Sequence, residues 1–115
     1  MTRTNDLARL SNLAGLVRDI RLADLHLATD KTAQLRAQLV RLDEMRAQVE
    51  GAETFGSAPA YLRWYRQARA NLNTQLAAAL AQEARCIAAA RAAFGRAEVL
   101  EKLQRQNDRA RPQAS

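Results

Sequence analysis

Apolar residues recur along this chain in steps of three and four, and polar residues fill the gaps. The pattern is densest between Arg85 and Leu103, RCIAAARAAFGRAEVLEKL. There Ile87, Ala90, Phe94 and Ala97 form the seam of a coiled coil, and Leu100 and Leu103 continue it with a slight offset. Arg91, Arg96, Glu98, Glu101 and Lys102 occupy the other faces. The spacing predicts one uninterrupted helix whose apolar stripe needs a partner in water.

The first half of the chain can supply that partner. Thr4 or Asn5 can cap a helix, with Asp6 placed for the positive end of its dipole. Leu10, Leu13 and Val17 keep heptad spacing, but continuing it demands Asp24, Lys31 and Gln34. A second frame runs through Leu25, Ala28, Thr32, Leu35, Leu39, Leu42 and Val49, with Arg46 the exception. The change of frame predicts a four-residue stutter near Ile20 to Leu25. Together with Gly15, it makes the first two dozen residues the less regular part of the helix.

Only one clear break follows, GAETFGSAP from Gly51 to Pro59. Gly51 suits the position after a helix end, Ser57 can cap the next helix, and Pro59 suits its first turn. The expected organisation is a single domain over 1–115. It comprises a helix over 5–50, a loop over 51–57, a helix over 58–108 and a frayed tail over 109–115. Two long helices of near-equal length joined by a short loop fold back on each other. The expected fold class is therefore all-α, two long helices forming an antiparallel coiled-coil hairpin. Ala77 to Ala93 is rich in alanine, which lets the helices approach closely. Alanine buries little area, so the hairpin should be only modestly stable, and a second copy or another protein can complete its burial.

Composition narrows the function. The chain has 115 residues and a formal charge of +6, with +1 on residues 1–52 and +5 on residues 53–115. A basic second half points to an acidic partner surface. No apolar run approaches the roughly 20 residues that span a bilayer. The start lacks an apolar leader segment. The expectation is a cytoplasmic protein without membrane insertion, at most peripheral at the inner membrane.

Candidate chemistry is sparse. His26 and Cys86 are the sole residues of their kinds and stand far apart, so no standard metal site can be built. Cys86, beside the seam, reads as a small buried hydrophobe. No nucleophile–base pair, phosphate loop or paired carboxylate is evident. The expectation is a non-enzymatic protein with no catalytic residue, cofactor or metal. Tyr61, Trp64 and Tyr65 share one helical face near the break, just after Phe55. They either plug the hairpin tip against Met45 and Val49 or form a binding hot spot with Arg63 and Arg66. In either case Tyr65 and Leu62 can serve the core while Trp64 faces out. Arg63, Arg66 and Arg69 make a basic stripe that is either a solvated face or a track for phosphates.

Two stretches carry a family resemblance. Leu16-Val17-Arg18-Asp19-Ile20-Arg21, followed by Ala23-Asp24, resembles the start of the FliJ/YscO family of flagellar and type III export proteins. Phe94-Gly95-Arg96-Ala97-Glu98-Val99-Leu100-Glu101-Lys102-Leu103 resembles that family's ending. The chain is short for the family. The resemblance implies a coiled-coil hairpin that acts as a stalk. Its terminal end would enter the hexameric export ATPase ring, and its other part would contact the cytoplasmic domain of the export gate and, in some members, export chaperones. On this resemblance the ATPase-facing residues are Arg18, Arg21, Arg96, Glu98, Glu101 and Lys102. The gate-facing residues at the tip are Tyr61, Trp64, Tyr65 and Arg66.

Other readings compete with a stalk of a flagellar or type III protein export apparatus, a part of bacterial motility. One is a nucleic-acid-associated basic coiled coil using the Arg63–Arg69 stripe, though no nucleic-acid motif accompanies it. Another is an export chaperone or adaptor whose seam a client helix completes.

Overall fold

The computed structural model describes residues 2–50 and 58–110. It contains two helices, α1 (Thr2–Glu50) and α2 (Pro59–Ala110), which pack against each other as a helical hairpin. Helix α1 starts at Thr2 rather than residue 5. Thr4 and Asn5 therefore lie inside the helix instead of capping it, and no acidic residue occupies its first turn. Helix α2 starts at Pro59 and ends at Ala110, against expected bounds of 58 and 108. The Ala58 carbonyl accepts the Leu62 N–H at 3.1 Å, so Ala58 holds the N-cap position and Pro59 the first helical one. Gly51, Phe55 and Ser57 lie outside the described residues, as does the tail beyond Ala110.

The chain divides into two compact units. A terminal unit comprises Met1–His26 and Ala84–Ser115, and a central unit comprises Leu27–Glu83. In the central unit, Thr32, Leu35 and Leu42 of α1 are buried, as are Tyr61 and Ala79 of α2. Ala28, Leu39, Val49, Leu72 and Leu76 are half-buried. These α1 positions are the second frame read from the sequence. Leu35, at 1 % exposure, is the best-covered large side chain, and burying a leucine fully stabilises by about 1.5–3 kcal/mol. The Thr32 hydroxyl donates to the Ala28 carbonyl at 3.1 Å, which satisfies this buried polar side chain.

The terminal unit is built differently. Its buried residues are Cys86, Ala90, Ala93 and Ala97, all small and all from α2. The seam of α2 thus passes through Ala93, and Phe94, expected on it, is 45 % exposed. Ile87 and Leu100 are half-buried, and Leu103 is exposed. On α1 the expected stutter does not occur. Counting back from Leu25 in threes and fours leads through Arg18, Ala14, Ser11, Leu7 and Thr4, all half-buried, with Leu22 standing in for exposed Arg21. Leu10, Leu13 and Ile20 are more than half exposed. The reason is steric. An alanine-lined face accommodates the close approach of another small-residue face, here Ser11, Ala14 and Gly15, and the bulky residues are left on the flank. Asn107 Nδ2 donates to Thr4 Oγ1 at 3.3 Å, tying the first turn of α1 to the last turns of α2.

Candidate functional site

In the terminal unit, Arg18 occupies a seam position that apolar patterning would leave to leucine. Its stem is half-buried and its guanidinium reaches outward, with Nη1 3.8 Å from Glu101 Oε1 and Nε 3.4 Å from Asp19 Oδ1. The same guanidinium lies over the Phe94 ring, 5.7 Å from its centroid. Arg21 pairs with Asp24 at 3.5 Å along α1. Arg96, Glu98 and Lys102 are exposed and have no ion-pair partner among the described residues. Of the six ATPase-facing candidates, the structure therefore brings together Arg18 and Glu101, engages Arg21 locally, and leaves the other three open.

Beside this cluster lies a shallow groove of about 190 Å³, lined by Leu10, Leu13, Ala14, Val17, Ala93, Arg96 and Leu100. The leucines on its α1 side belong to the frame that the sequence assigns to the hairpin seam. The structure exposes them, and the α1 face toward α2 is instead the smaller, mixed one that includes Ser11, Ala14 and Arg18. Patterning along a single helix finds the larger stripe but cannot tell that α2 covers the other.

The central unit repeats the arginine-over-ring device. Arg46, the charged exception in its seam, stacks on the Tyr65 ring, with Cζ 4.5 Å from the centroid, and its Nε donates to Glu50 at 2.8 Å. That hydrogen bond holds the Arg46 pKa above its ordinary value. Asp43 accepts the Tyr65 hydroxyl at 2.6 Å and Arg69 Nη1 at 3.2 and 3.3 Å. The bond to Asp43 raises the Tyr65 phenol above its ordinary value, because the carboxylate favours the protonated donor. Asp43 gives no signal in the sequence, since only the pairing of α1 with α2 places it opposite Tyr65 and Arg69.

The four tip candidates separate in the same way. Tyr61 is buried, with its ring centroid 5.8 Å from that of Trp64. Tyr65 is held by Asp43, and Trp64 faces out at 48 % exposure. Arg66 is exposed. Trp64 and Arg66 are thus the two candidates that present open surface. Arg69 is engaged by Asp43, so the basic stripe is reduced to Arg63 and Arg66.

Comparison with family models, curated proteins and solved structures finds no match. Among the described residues, no three His, Cys, Asp or Glu side chains gather where they could hold a metal ion. No helix among them is long and apolar enough to cross a membrane. His26 is exposed and Cys86 is buried.

Proposed function

We propose that the protein is a non-enzymatic, stalk-like component of a bacterial flagellar or type III protein export apparatus. In this reading its terminal unit binds the export ATPase ring, and Trp64 and Arg66 contribute to a contact with the export gate. The observation that carries the reading is the meeting of the two family-like stretches. Arg18 of the first reaches Glu101 and Phe94 of the second, although they lie more than seventy residues apart in sequence. Three of the residues that prompted the resemblance therefore meet across the hairpin, as a shared binding end requires. Open charges at Arg96, Glu98 and Lys102 supply steering and register toward a charged ring lumen.

The test is the hydrolysis rate and oligomeric state of the same organism's export ATPase, with and without this chain. The reading expects faster turnover and more hexamer, and loss of both on the double reversal Arg96→Glu and Lys102→Glu. No binding and no change in turnover would refute it. Normal activation by the double variant would refute the placement of the contact.

A further inference from the structure

The open stripe of the terminal unit has the layout of a second helix-packing seam. Leu10, Leu13, Val17 and Ile20 follow one another in steps of three, four and three, the spacing with which one helix receives another. Leu100 and Ala93 floor the groove from α2. Leu10, Leu13 and Ile20 are each more than half exposed, and on α2 Val99 and Leu103 add to the exposed apolar surface of the same unit. Scattered apolar residues need no explanation on a protein surface, but a contiguous stripe of this kind does.

Charge identifies the occupant. Residues 1–26 and 84–115 carry eleven basic and six acidic side chains, a net of +5, whereas residues 27–83 carry seven and six, a net of +1. Three of the six acidic side chains of the terminal unit are engaged internally, Asp19 and Glu101 by Arg18 and Asp24 by Arg21. Arg96 lines the groove itself. Arg9, four residues before the groove-lining Leu13 and so on its side of α1, has no ion-pair partner among the described residues. A second copy of the chain would bring the same positive surface to this seam and be repelled.

We infer that the groove between α1 and α2 in the terminal unit docks an amphipathic helix of another protein, one with an apolar stripe flanked by acidic residues. The inference does not depend on the export reading, because any partner must satisfy the same shape and charge. Leu10, Leu13 and Val17 supply the holes for the incoming side chains, and Arg96 and Arg9 meet the carboxylates along the rim.

The test uses the full chain and two synthetic helices of roughly three heptads, each with leucine at both seam positions. One carries glutamate at the flanking positions and the other lysine. Binding is followed by fluorescence anisotropy, with the oligomeric state of the chain recorded by sedimentation. The glutamate helix should bind at least about tenfold tighter than the lysine helix, and added salt should narrow the gap. Leu10→Gln with Leu13→Gln should weaken the glutamate helix by about tenfold or more. Val40→Gln, an equally exposed apolar site of the central unit, should leave it unchanged. Both double and control variants should keep wild-type helicity, since all three side chains are exposed. Equal binding of the two helices, binding of neither, or insensitivity to the double variant would overturn the inference. A dimer of the free chain that Leu10→Gln with Leu13→Gln dissociates would also overturn it, by showing that a second copy fills the groove.

Discussion

Replacing Ala93 by leucine should destabilise the hairpin, and the sign of that effect decides which face of α2 meets α1. Ala93 is 2 % exposed and its seam neighbours Ala90 and Ala97 are 5 % and 3 % exposed. Ala93 is covered by α1 but also floors the shallow groove beside it, so the three extra carbon atoms are only partly accommodated. Overpacking costs about 1–3 kcal/mol, and the open side puts this site at the low end of that range, about 1 kcal/mol. With a urea slope of about 2 kcal/mol per molar, the unfolding midpoint should fall by about 0.5 M. Were the seam to run through Phe94, Ala93 would lie on the flank, and a leucine there would be neutral or mildly stabilising.

Phe94→Ala is the matched measurement. A core phenylalanine costs about 3–5 kcal/mol on truncation. Phe94 is 45 % exposed, so little more than half of its surface is covered. At about 25 cal/mol/Å² over roughly 100 Å², less about 0.5 kcal/mol regained from the helix propensity of alanine, the loss is about 2 kcal/mol. Urea titrations followed by far-ultraviolet circular dichroism measure both variants, with Ala92→Leu as the exposed control. A neutral or stabilising Ala93→Leu, together with a loss above about 3 kcal/mol for Phe94→Ala, would refute the seam described here.

Leu35→Ala should cost about 3 kcal/mol in the same titration, since Leu35 is the best-covered large side chain, while Val40→Ala at 55 % exposure should cost less than about 1 kcal/mol. Gly95→Ala should stabilise by up to about 1 kcal/mol, because a Cβ there meets nothing within 4 Å and α2 gains helix propensity. The Tyr65 phenol is raised in the folded state by its bond to Asp43. A raised value stabilises below the unfolded phenol pKa, about 10, and the contribution is lost as pH rises through the folded value. Melting curves of the wild type should therefore drop on the alkaline side of that range, and Tyr65→Phe should flatten the drop.

The central unit was legible in the sequence because its apolar frame is unambiguous. Leu35, Leu39 and Leu42 are large and correctly spaced, and no competing stripe of comparable size runs beside them. Arg46 looked like a fault in that frame and is instead a seam residue whose stem packs while its guanidinium covers Tyr65. The terminal unit misled the reading because hydropathy rewards size. Leu10, Leu13, Val17 and Ile20 outweigh Ser11, Ala14 and Arg18, so patterning assigns the larger stripe to the core and must then insert a stutter at the join. Patterning puts Phe94 on the seam for the same reason, one position from the alanine that holds it. What decides the matter is the shape of the opposing face, which a single helix does not encode.

The outcome reassigns the residues that make the fold and those left for binding. The small stripe of α1 meets the small stripe of α2, so the terminal unit closes with little buried area per residue and retains large apolar side chains outside. A chain that had only to fold would put its leucines inward, as the central unit does with Leu35 and Leu42. Keeping Leu10, Leu13 and Ile20 outward adds to the apolar surface in contact with water and contributes little to closing the hairpin, and Arg96 beside them lacks an ion-pair partner among the described residues. Both features disfavour the free protein slightly and favour a complex with a partner of opposite charge. On this argument the two stripes of α1 have separate roles. Ser11 and Arg18 hold the hairpin, Ala14 serves both the seam and the groove, and Leu10 and Leu13 receive a partner, so substitutions of the two leucines should leave the hairpin's stability intact.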